Sequence, residues 1–512
     1  MSDLAARPVE SGGSRESGGP RESGGPRESG GPREPGGSRE PDDCHESDGS
    51  GEPSGSDESG EPGGSAAPGG TGRRGPLLLV VGLAGFVTTL DNTVVTVALP
   101  TLQAELGASL ALLEWVVTGY VLTFSGLMLA GGRLADVYGR RRILVTGLAV
   151  FTAASLAAGL AGSAGALVAA RLVQGCGAAL ILPAMLAVVA VAGGGRERSA
   201  GVAVWMASGA AALALGPVVG GYLAQHAHWS WIFLLNVPLG VLCVALAMAA
   251  VPESRDGTAA RVDVPGVAAS IAVLSAGTFG LTFAAELGWT SPVILAALAV
   301  SVVSAAAFAV VERLGRDPMV DLALFRARAF TGGVIAQVLW GLGVNGVFFF
   351  TALFLQGVLG FSPTASGLAF VPLALLVAVV TPLVPLAERR LGAARTVALG
   401  LVLVAGGMVA VAFLRAGDGW AELLPAVCVI GIGSALTMPL GSAVLGAVPE
   451  GRAGVAGGVF SVAREMSGLF GIAVVGVIVN GAASFTAGYS TGLLTAAGLV
   501  AAGAAVSLVT LR

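Results

Sequence analysis

Charge is scarce in this 512-residue sequence, since only 12% of its residues are Asp, Glu, Lys or Arg. A soluble domain usually carries about 25% charged residues. Half that content leaves too little polar surface to face water, while 54% of the residues are hydrophobic and the mean hydropathy is +0.81. The composition therefore argues against an ordinary soluble protein. It indicates a chain whose solvent is lipid, which demands apolar helices or a closed barrel.

Lysine is absent, and all 28 basic residues are arginine. A phosphate-binding loop of the Gly-x-x-x-x-Gly-Lys type is thereby excluded, which argues against ATP hydrolysis by this chain. The four cysteines and three histidines show neither a disulfide framework nor a metal-ligand spacing. We also find no nucleophile–base pair and no soluble sensor domain. The sequence predicts a protein that is not an enzyme and holds no metal or cofactor.

The N-terminal segment, residues 1–75, differs from the rest of the chain. It repeats Arg-Glu-Ser-Gly-Gly-Pro and holds 15 acidic and 8 basic residues. It has almost nothing apolar to bury and lacks the apolar centre of a signal peptide. We predict a disordered, low-complexity cytoplasmic tail, with a regulatory or docking role left open.

From residue 76 onward, apolar runs follow one another, each about as long as the 20 residues that a helix needs to cross a bilayer. We predict fourteen transmembrane helices. The predicted spans cover residues 77–97, 112–131, 143–162, 164–190, 201–224, 231–251, 264–285, 292–312, 329–357, 363–386, 396–414, 421–445, 454–478 and 491–510.

The placement of arginine supports this count, because loops on the cytoplasmic side are rich in Lys and Arg. Every second predicted loop carries arginine, whereas the intervening loops carry one in total, Arg415. The arginines of the rich loops are Arg133, Arg140, Arg141, Arg142, Arg196, Arg198, Arg255, Arg261, Arg313, Arg316, Arg326, Arg328, Arg389, Arg390, Arg395 and Arg452. A missed or additional span would scramble the alternation. Both termini are therefore predicted to be cytoplasmic.

The chain also repeats itself. Residues 175–183 parallel residues 431–439, and residues 134–147 parallel residues 387–400, at offsets of 256 and 253 residues. Both copies enter the membrane from the same side, so the repeat is parallel. Parallel halves related by an axis along the membrane normal are one standard transporter architecture, with the substrate cavity between them.

The fold class that follows is an all-α integral membrane protein of two parallel-repeat six-helix halves with two extra central helices. The predicted units are an N-terminal half over residues 76–251, an inserted two-helix hairpin over 252–318 and a C-terminal half over 319–512.

Charged residues inside the predicted spans are candidates for function, because a charge near the bilayer centre costs about 2.5–3.5 kcal/mol on insertion scales. We single out Asp91, Arg171, Arg464 and Glu465. Asp91 and Arg171 lie at matched depth, roughly 10 Å below the outer boundary at about 1.5 Å per residue. They would form either a structural ion pair or a carboxylate that alternates between protonated and arginine-paired states. Arg464 and Glu465 point about 100° apart on one helix, so we expect each to have another partner or water. Glu465 is, with Asp91 and Arg171, a candidate for proton coupling, because burial raises the pKa of a carboxyl group toward neutrality; a structural hydrogen bond is the alternative.

Further candidates come from motifs and polar positions in the spans. The loop after the second span is a candidate gating loop and contains Gly132, Asp136, Gly139, Arg140 and Arg141. Its glycines permit a tight turn, and its arginines hold the loop in the cytoplasm and can pair with Asp136 or with a helix C-terminus. The fifth span contains Gly216, Pro217, Gly220 and Gly221, which suit bending or close helix packing. Residues that would line the cavity are Gln174, Asn345, Gln356 and Arg464. Each loop or stretch also has a plain structural reading, as topology or as packing.

Five stretches in order resemble motifs of the major facilitator superfamily, specifically its fourteen-helix drug:proton antiporter branch. The stretches are residues 90–100 in the first span, 132–142 in the signature loop, 167–171 with 174–179 in the fourth span, 216–221 in the fifth span and 229–240 at the start of the sixth. The resemblance covers residues 77–512. Departures are Thr96 for a usual asparagine, Ala212 for glycine, Ser230 for arginine and Glu465 where the branch often has glutamine.

The resemblance implies a major facilitator fold and the export of a hydrophobic or amphipathic compound, driven by proton entry. It implicates the arginine of the fourth-helix motif, Arg171, in proton coupling, and associates the fifth-helix motif with antiporters. We expect a bacterial plasma-membrane protein that binds a small molecule, protons and lipid, binds no nucleic acid and acts as a monomer. A facilitator or importer of a small metabolite with the same fold is the alternative.

Overall fold

The structure is a computed structural model that describes residues 71–191, 195–255, 263–314, 322–449 and 453–511. Over these ranges, 14 helices are long and apolar enough to cross a membrane. They are α1 (Thr71–Leu106), α2 (Leu110–Tyr138), α3 (Arg140–Gly159), α4 (Ala164–Val191), α5 (Gly195–His226), α6 (Trp231–Ala250), α7 (Val264–Leu287), α8 (Pro292–Leu314), α9 (Arg328–Gly357), α10 (Pro363–Leu391), α11 (Ala393–Ala412), α12 (Trp420–Gly446), α13 (Ala453–Asn480) and α14 (Phe485–Thr510).

Each predicted span overlaps one of these helices, so the predicted count and order are confirmed. The largest differences are at the ends of α1 and α2, which stop at Leu106 and Tyr138, nine and seven residues beyond the predicted 97 and 131. Smaller differences lie at helix starts. Helix α1 begins at Thr71, so the last residues of the predicted tail are helical. Helix α14 begins at Phe485, six residues before the predicted start at residue 491. Ser484 caps its first turn by accepting a hydrogen bond from the amide of Ala487 at 3.3 Å. Hydropathy does not detect that polar first turn.

Some predictions fall on residues that the structure does not describe. Residues 1–70, most of the predicted tail, lie outside the described ranges, as do 256–262 and 315–321 at the two ends of the predicted hairpin. Three arginines of the alternation lie outside as well: Arg261, Arg316 and Arg452. The predicted domain boundaries remain predictions.

Three of the helices are interrupted. Helix α6 breaks at Leu235 and resumes at Asn236, and α10 contains a 3-10 turn over Thr381–Leu383. Helix α12 breaks between Leu436 and Pro439. Proline explains the breaks in α10 and α12, because it removes a helical donor and clashes with the preceding turn. In α6 the interruption is slight, because Leu235 keeps helical φ and ψ of −59° and −32° and donates to the carbonyl oxygen of Trp231 at 3.0 Å.

Within the N-terminal half, α2 packs on α4, α1 on α5, and α3 on α4. Within the C-terminal half, α9 packs on α13 and α14, and α11 on α12 and α14. The inserted helices α7 and α8 pack on each other, and α7 also contacts α2 and α13. Helix α8 leaves most of its apolar surface exposed, since only 6% of the residues in its apolar 18-residue stretch are buried. That surface suits lipid as its solvent.

The internal repeat predicted from the sequence is visible in the packing. In the N-terminal half, α3 and α4 touch through glycines, since a Cβ at Gly147 would lie 2.9 Å from the carbonyl oxygen of Gly177. In the C-terminal half, a Cβ at Gly400 would lie 2.6 Å from the carbonyl oxygen of Gly433, between α11 and α12. These pairs are related by the same offsets of 253 and 256 residues as the sequence repeat.

The turns that precede these contacts match as well. Gly139 has φ 113° and Gly392, 253 residues later, has φ 80°. Both values are in the left-handed region that favours glycine. The two halves therefore share a helix–turn–helix unit down to its backbone conformation.

Candidate functional site

Asp91, in the middle of α1, is fully buried and accepts hydrogen bonds from three side chains on two other helices. The guanidinium of Arg171, from α4, binds its Oδ2. The amides of Gln174 in α4 and Asn236 in α6 donate to its Oδ1 at 2.8 and 2.7 Å. Both carboxylate oxygens act as acceptors, as they do in an ionised carboxylate.

Arg171 is likewise fully buried and is held on several sides. Its Nε donates to the carbonyl oxygen of Val116 in α2 at 2.9 Å, and its Nη1 to Gln174 Oε1 at 2.7 Å. The guanidinium lies 4.4 Å above the centre of the Tyr120 ring, a cation–π contact. The cost of a buried guanidinium is therefore offset by a charge, two neutral acceptors and an aromatic face.

The structure confirms that Asp91 and Arg171, placed at matched depth by the sequence, are in contact. It also adds to the site. Gln174, predicted to line the cavity, instead bridges Asp91 to the hydroxyl of Ser155 in α3 at 2.7 Å. Asn236 was not singled out among the polar residues of the spans, although it lies in the sixth. Its position inside the sixth-helix motif was the available signal.

Arg464 and Glu465 form an ion pair with each other, at 2.8 Å between Nη2 and Oε1, which overturns the expectation of separate partners. The expectation was wrong because it used the directions of the Cβ atoms, whereas the arginine side chain is long enough to curl back to its neighbour. The Arg464 side chain is 49% exposed and that of Glu465 is 19% exposed. This pair therefore differs from the sealed Asp91–Arg171 pair.

The other two predicted cavity residues make contacts with backbone. The amide of Asn345 donates to Gly341 in its own helix at 3.1 Å. The amide of Gln356, in α9, donates to the carbonyl oxygen of Val97 in α1 at 2.8 Å. Gln356 thus joins the C-terminal half to the helix that carries Asp91.

The loop between α2 and α3 is shorter than predicted. Gly132 lies inside α2 and Gly139 alone makes the turn, so the prediction that several glycines form it is wrong. Asp136 and Arg140 flank the turn and form an ion pair at 2.9 Å. Helix α2 continues to Tyr138 and ends where Gly139 takes a positive φ, and the ion pair joins its last turn to the first residue of α3.

The loop also docks on the end of α6. The backbone amide of Arg140 donates to the carbonyl oxygen of Ser254 at 2.9 Å, and that of Arg141 to Glu253 Oε1 at 3.2 Å. The guanidinium groups of Arg141 and Arg142 lie 3.8 and 3.7 Å from Glu253 Oε2. Glu253, which the sequence analysis did not consider, anchors the loop.

The fifth-span stretch is a close-packing surface on α5 for two neighbours. Against α1, a Cβ at Gly216 would lie 1.9 Å from Thr93 Oγ1, and one at Gly220 would lie 2.4 Å from the carbonyl oxygen of Val94. Against α10, a Cβ at Gly221 would lie 2.2 Å from the carbonyl oxygen of Pro363. The stretch therefore couples the segment just after Asp91 to the C-terminal half.

The contact between α5 and α10 is close on both helices. In α10, a Cβ at Gly367 would lie 2.0 Å from the carbonyl oxygen of Pro217 in α5. Two hydrogen bonds reinforce it, from the amide of Thr364 to Gln225 at 3.2 Å and from its hydroxyl to Gly221 at 3.4 Å. Together with Gln356, these contacts join the halves at the end opposite the arginine-bearing loops.

A buried carboxylate near the start of the second span was also missed. Glu114, in the first turn and a half of α2, is fully buried and neither carboxylate oxygen has a hydrogen-bond partner. It lies near the end of a predicted span, where exposure to water is the usual expectation. In the ranges that the structure covers, no group of three His, Cys, Asp or Glu side chains is arranged to hold a metal ion.

A bundle of fourteen membrane helices in two repeated halves, with a buried ion pair between helices, defines a multi-pass membrane transporter. A family model described as Major Facilitator Superfamily matches residues 81–472. The chain belongs to that superfamily.

Relatives of known role agree with this assignment. Puromycin resistance protein pur8 of Streptomyces alboniger is 35% identical, over 81% of this chain and 84% of that protein. Cephamycin export protein CmcT of Amycolatopsis lactamdurans is 36% identical, over 78% of this chain and 83% of that protein. These similarities confirm the resemblance to the drug-efflux branch.

Solved structures agree on the fold. A POT family transporter in complex with 5-aminolevulinic acid has a TM-score of 0.66 at 13% identity, covering 85% of this chain and 95% of that one. At this identity the likeness concerns the fold alone, and it supports the major facilitator architecture of two halves.

Proposed function

We propose that this protein exports a hydrophobic or amphipathic small molecule, such as an antibiotic, in exchange for protons that enter the cell. The observation that carries the proposal is the buried carboxylate of Asp91, held by Arg171 in a segment that directly contacts the other half. Relatives named as resistance and export proteins support the direction of transport. The protein would act as a carrier rather than an enzyme, as a monomer in lipid, with no bound cofactor and no nucleic-acid partner.

We place the protein in the bacterial plasma membrane with both termini in the cytoplasm. The support is the arginine alternation together with an even number of spans. In this orientation the contacts of Gln356, Thr364 and Gly221 close the outer end of the bundle. The conformation described above would then be one that is closed at its outer end within an alternating-access cycle.

The coupling step starts at Asp91. A proton on its carboxyl group would remove the negative charge that pairs with Arg171 and convert one acceptor into a donor. The three donors that converge on Asp91 would then be incompletely satisfied, so α1 would prefer another position. Thr93, Val94 and Val97 follow on the same helix and contact α5 and α9 at the closed end. A shift of α1 would therefore be transmitted directly to the contacts that join the halves.

The energy available is sufficient for such a shift. One proton moving inward gains about 2.3 kcal/mol per 100 mV of membrane potential. A difference of one pH unit across the membrane adds about 1.4 kcal/mol. The few hydrogen bonds at the closed end have net free energies of about 0.5–1.5 kcal/mol each, so a single proton can bias their formation.

A two-part experiment tests this proposal. A susceptibility screen across antibiotics and dyes, with and without expression, would identify a substrate, for which we expect increased resistance. Inverted vesicles would then accumulate that substrate when a pH gradient is imposed, and the substrate would release protons. Uptake into cells, or movement that ignores the pH gradient, would instead support the facilitator or importer of a metabolite.

The orientation has its own test. We expect an impermeant thiol reagent to label Ser484→Cys but not Arg196→Cys in intact cells, because the first lies in a loop on the outer side and the second in a cytoplasmic loop. The reverse pattern would overturn the topology without bearing on the fold.

A further inference from the structure

Glu114 lies at a three-helix contact that the coupling step above does not use. It is carried by α2 of the N-terminal half, and a Cβ added at Gly476 in α13 of the C-terminal half would lie 2.3 Å from its Oε1. The third wall is α7 of the inserted hairpin, whose Thr282 faces the carboxyl group. The residue thus occupies the seam between the two halves, at the end that is closed.

The surroundings of the carboxyl group are polar but leave it without a partner. The hydroxyl of Thr282 is the nearest donor to the carboxyl group, but neither oxygen of Glu114 has a well-formed hydrogen bond, and the hydroxyl of Thr278 is also buried without one. An ionised carboxylate is disfavoured in such a site, because it is removed from water and has no positive charge and at most one hydroxyl to compensate it. The closed seam is compatible with the neutral acid.

The inserted helix supplies a connection from this site to the surface. Thr278, Thr282 and Glu286 are spaced four residues apart, so they form one stripe along α7. Glu286 is exposed at the end of the helix, and its charge acts on Glu114. The stripe leads from the outer end of the hairpin to the buried carboxyl group.

The charged groups on the other walls do not neutralise Glu114. In α13 the segment 472–480, which surrounds Gly476, contains no titratable residue. Arg171, from α4, donates to the carbonyl oxygen of Val116, which is two residues after Glu114 in α2. Its guanidinium is, however, bound to Asp91. Glu286 is the charged neighbour from α7.

We propose that Glu114 is a second proton-binding site, whose protonation permits the outer seam between α2, α7 and α13 to close. When the halves separate at the outer end, Glu114 would meet external water, lose its proton at high external pH and bind one from water at low pH. The seam then closes over the neutral acid. The inserted hairpin would thereby contribute half of a proton-loading site. This inference rests on the proposed proton-coupled cycle and assigns a role in it to the two extra helices.

The test measures opening of the outer end directly, by hydrogen–deuterium exchange of the full-length protein in lipid nanodiscs over a pH series, corrected for intrinsic exchange rates. In the wild-type protein, segments 107–118 and 476–488 should become at least about tenfold less protected as pH rises. In Glu114→Gln, which mimics the neutral acid, they should stay protected at all pH values. Glu114→Asp should keep the pH dependence with a displaced midpoint. Glu286→Gln, which removes the charge near Glu114 but not the buried carboxyl group, should likewise keep the pH dependence with a displaced midpoint.

An unchanged pH dependence in Glu114→Gln would overturn the proposal, and so would loss of it in Glu286→Gln alone. Because the exchange measurement needs no substrate, its outcome is separate from that of the vesicle assay. Failure of proton-driven accumulation with a retained effect of Glu114→Gln would refute export but not pH-controlled closure.

Discussion

The N-terminal half carries Arg171 in α4 where the C-terminal half, 256 residues later in α12, carries Val427. Both side chains are buried. The glycine contacts around them, Gly177 with its neighbours in α3 and Gly433 with its neighbours in α11, are nearly the same. The repeat therefore preserves backbone packing while the charge is confined to one half. Packing fixes how the helices meet, whereas the ion network determines which half responds to a proton.

The most severe test of this comparison is Asp91→Asn. It would leave the Arg171 guanidinium buried beside a neutral amide, and removing one partner of a buried pair costs about 3–5 kcal/mol. We expect proton-driven accumulation in inverted vesicles to be abolished, while some substrate binding is retained. Arg171→Ala should be similarly inactive, and Arg171→Lys should keep part of the activity because it retains the charge but not the fork geometry.

The matched control is Val427→Ala, a change at the repeat-related position in the uncharged half, which should leave accumulation close to the wild-type level. Substrate-induced proton release that is equal in Asp91→Asn and in wild type would make Asp91 structural. The coupling residue would then have to be sought elsewhere, at Glu114 or Glu465.

Within the charged half, the sequence predicted some contacts of the buried polar residues and not others. The contact of Asp91 with Arg171 followed from their depth, because a charge in a span needs a partner and the two were level. The role of Asn236 did not follow, since the hydrogen bond from its side chain to Asp91 depends on how α6 packs beside α1, which the sequence of one helix does not show. The burial of Glu114 depends on α7 and α13 closing over it, a tertiary contact that hydropathy along one helix cannot reveal.

The shared scaffold is tested by adding one methyl group to each half. In Gly177→Ala the new Cβ would lie 2.6 Å from the backbone nitrogen of Phe151, and in Gly433→Ala 2.8 Å from that of Val404. Overpacking of this kind costs about 1–3 kcal/mol. We expect both variants to lower the thermal unfolding midpoint in detergent by similar amounts.

Gly165→Ala is the control, because a Cβ there has no neighbour within 4 Å. A large drop in the unfolding midpoint for one of the two glycine variants, with none for the other, would contradict the equivalence of the two packing units.

A smaller effect is expected in the loop between α2 and α3. The Asp136–Arg140 pair is partly exposed, and such pairs contribute about 0–1 kcal/mol to stability. Asp136→Asn should therefore leave membrane insertion and abundance intact. We expect a several-fold lower transport rate, because the pair flanks the Gly139 turn that docks on α6 through Glu253. Full transport at normal abundance would show that the loop only sets topology.

The smallest effect is expected for Glu465→Gln in the C-terminal half. Its partner Arg464 is the adjacent residue and is about half exposed, so water can replace the lost charge. The amide of glutamine has nearly the same shape and still offers an oxygen to the guanidinium. If coupling belongs to the N-terminal half, substrate-induced proton release from inverted vesicles should stay within about twofold of wild type, an energy difference of about 0.4 kcal/mol. A loss of proton release as complete as that in Asp91→Asn would place a second coupling site in the C-terminal half, at Glu465. Comparing the two variants in the same vesicle preparation, at equal abundance, therefore decides between one coupling site and two.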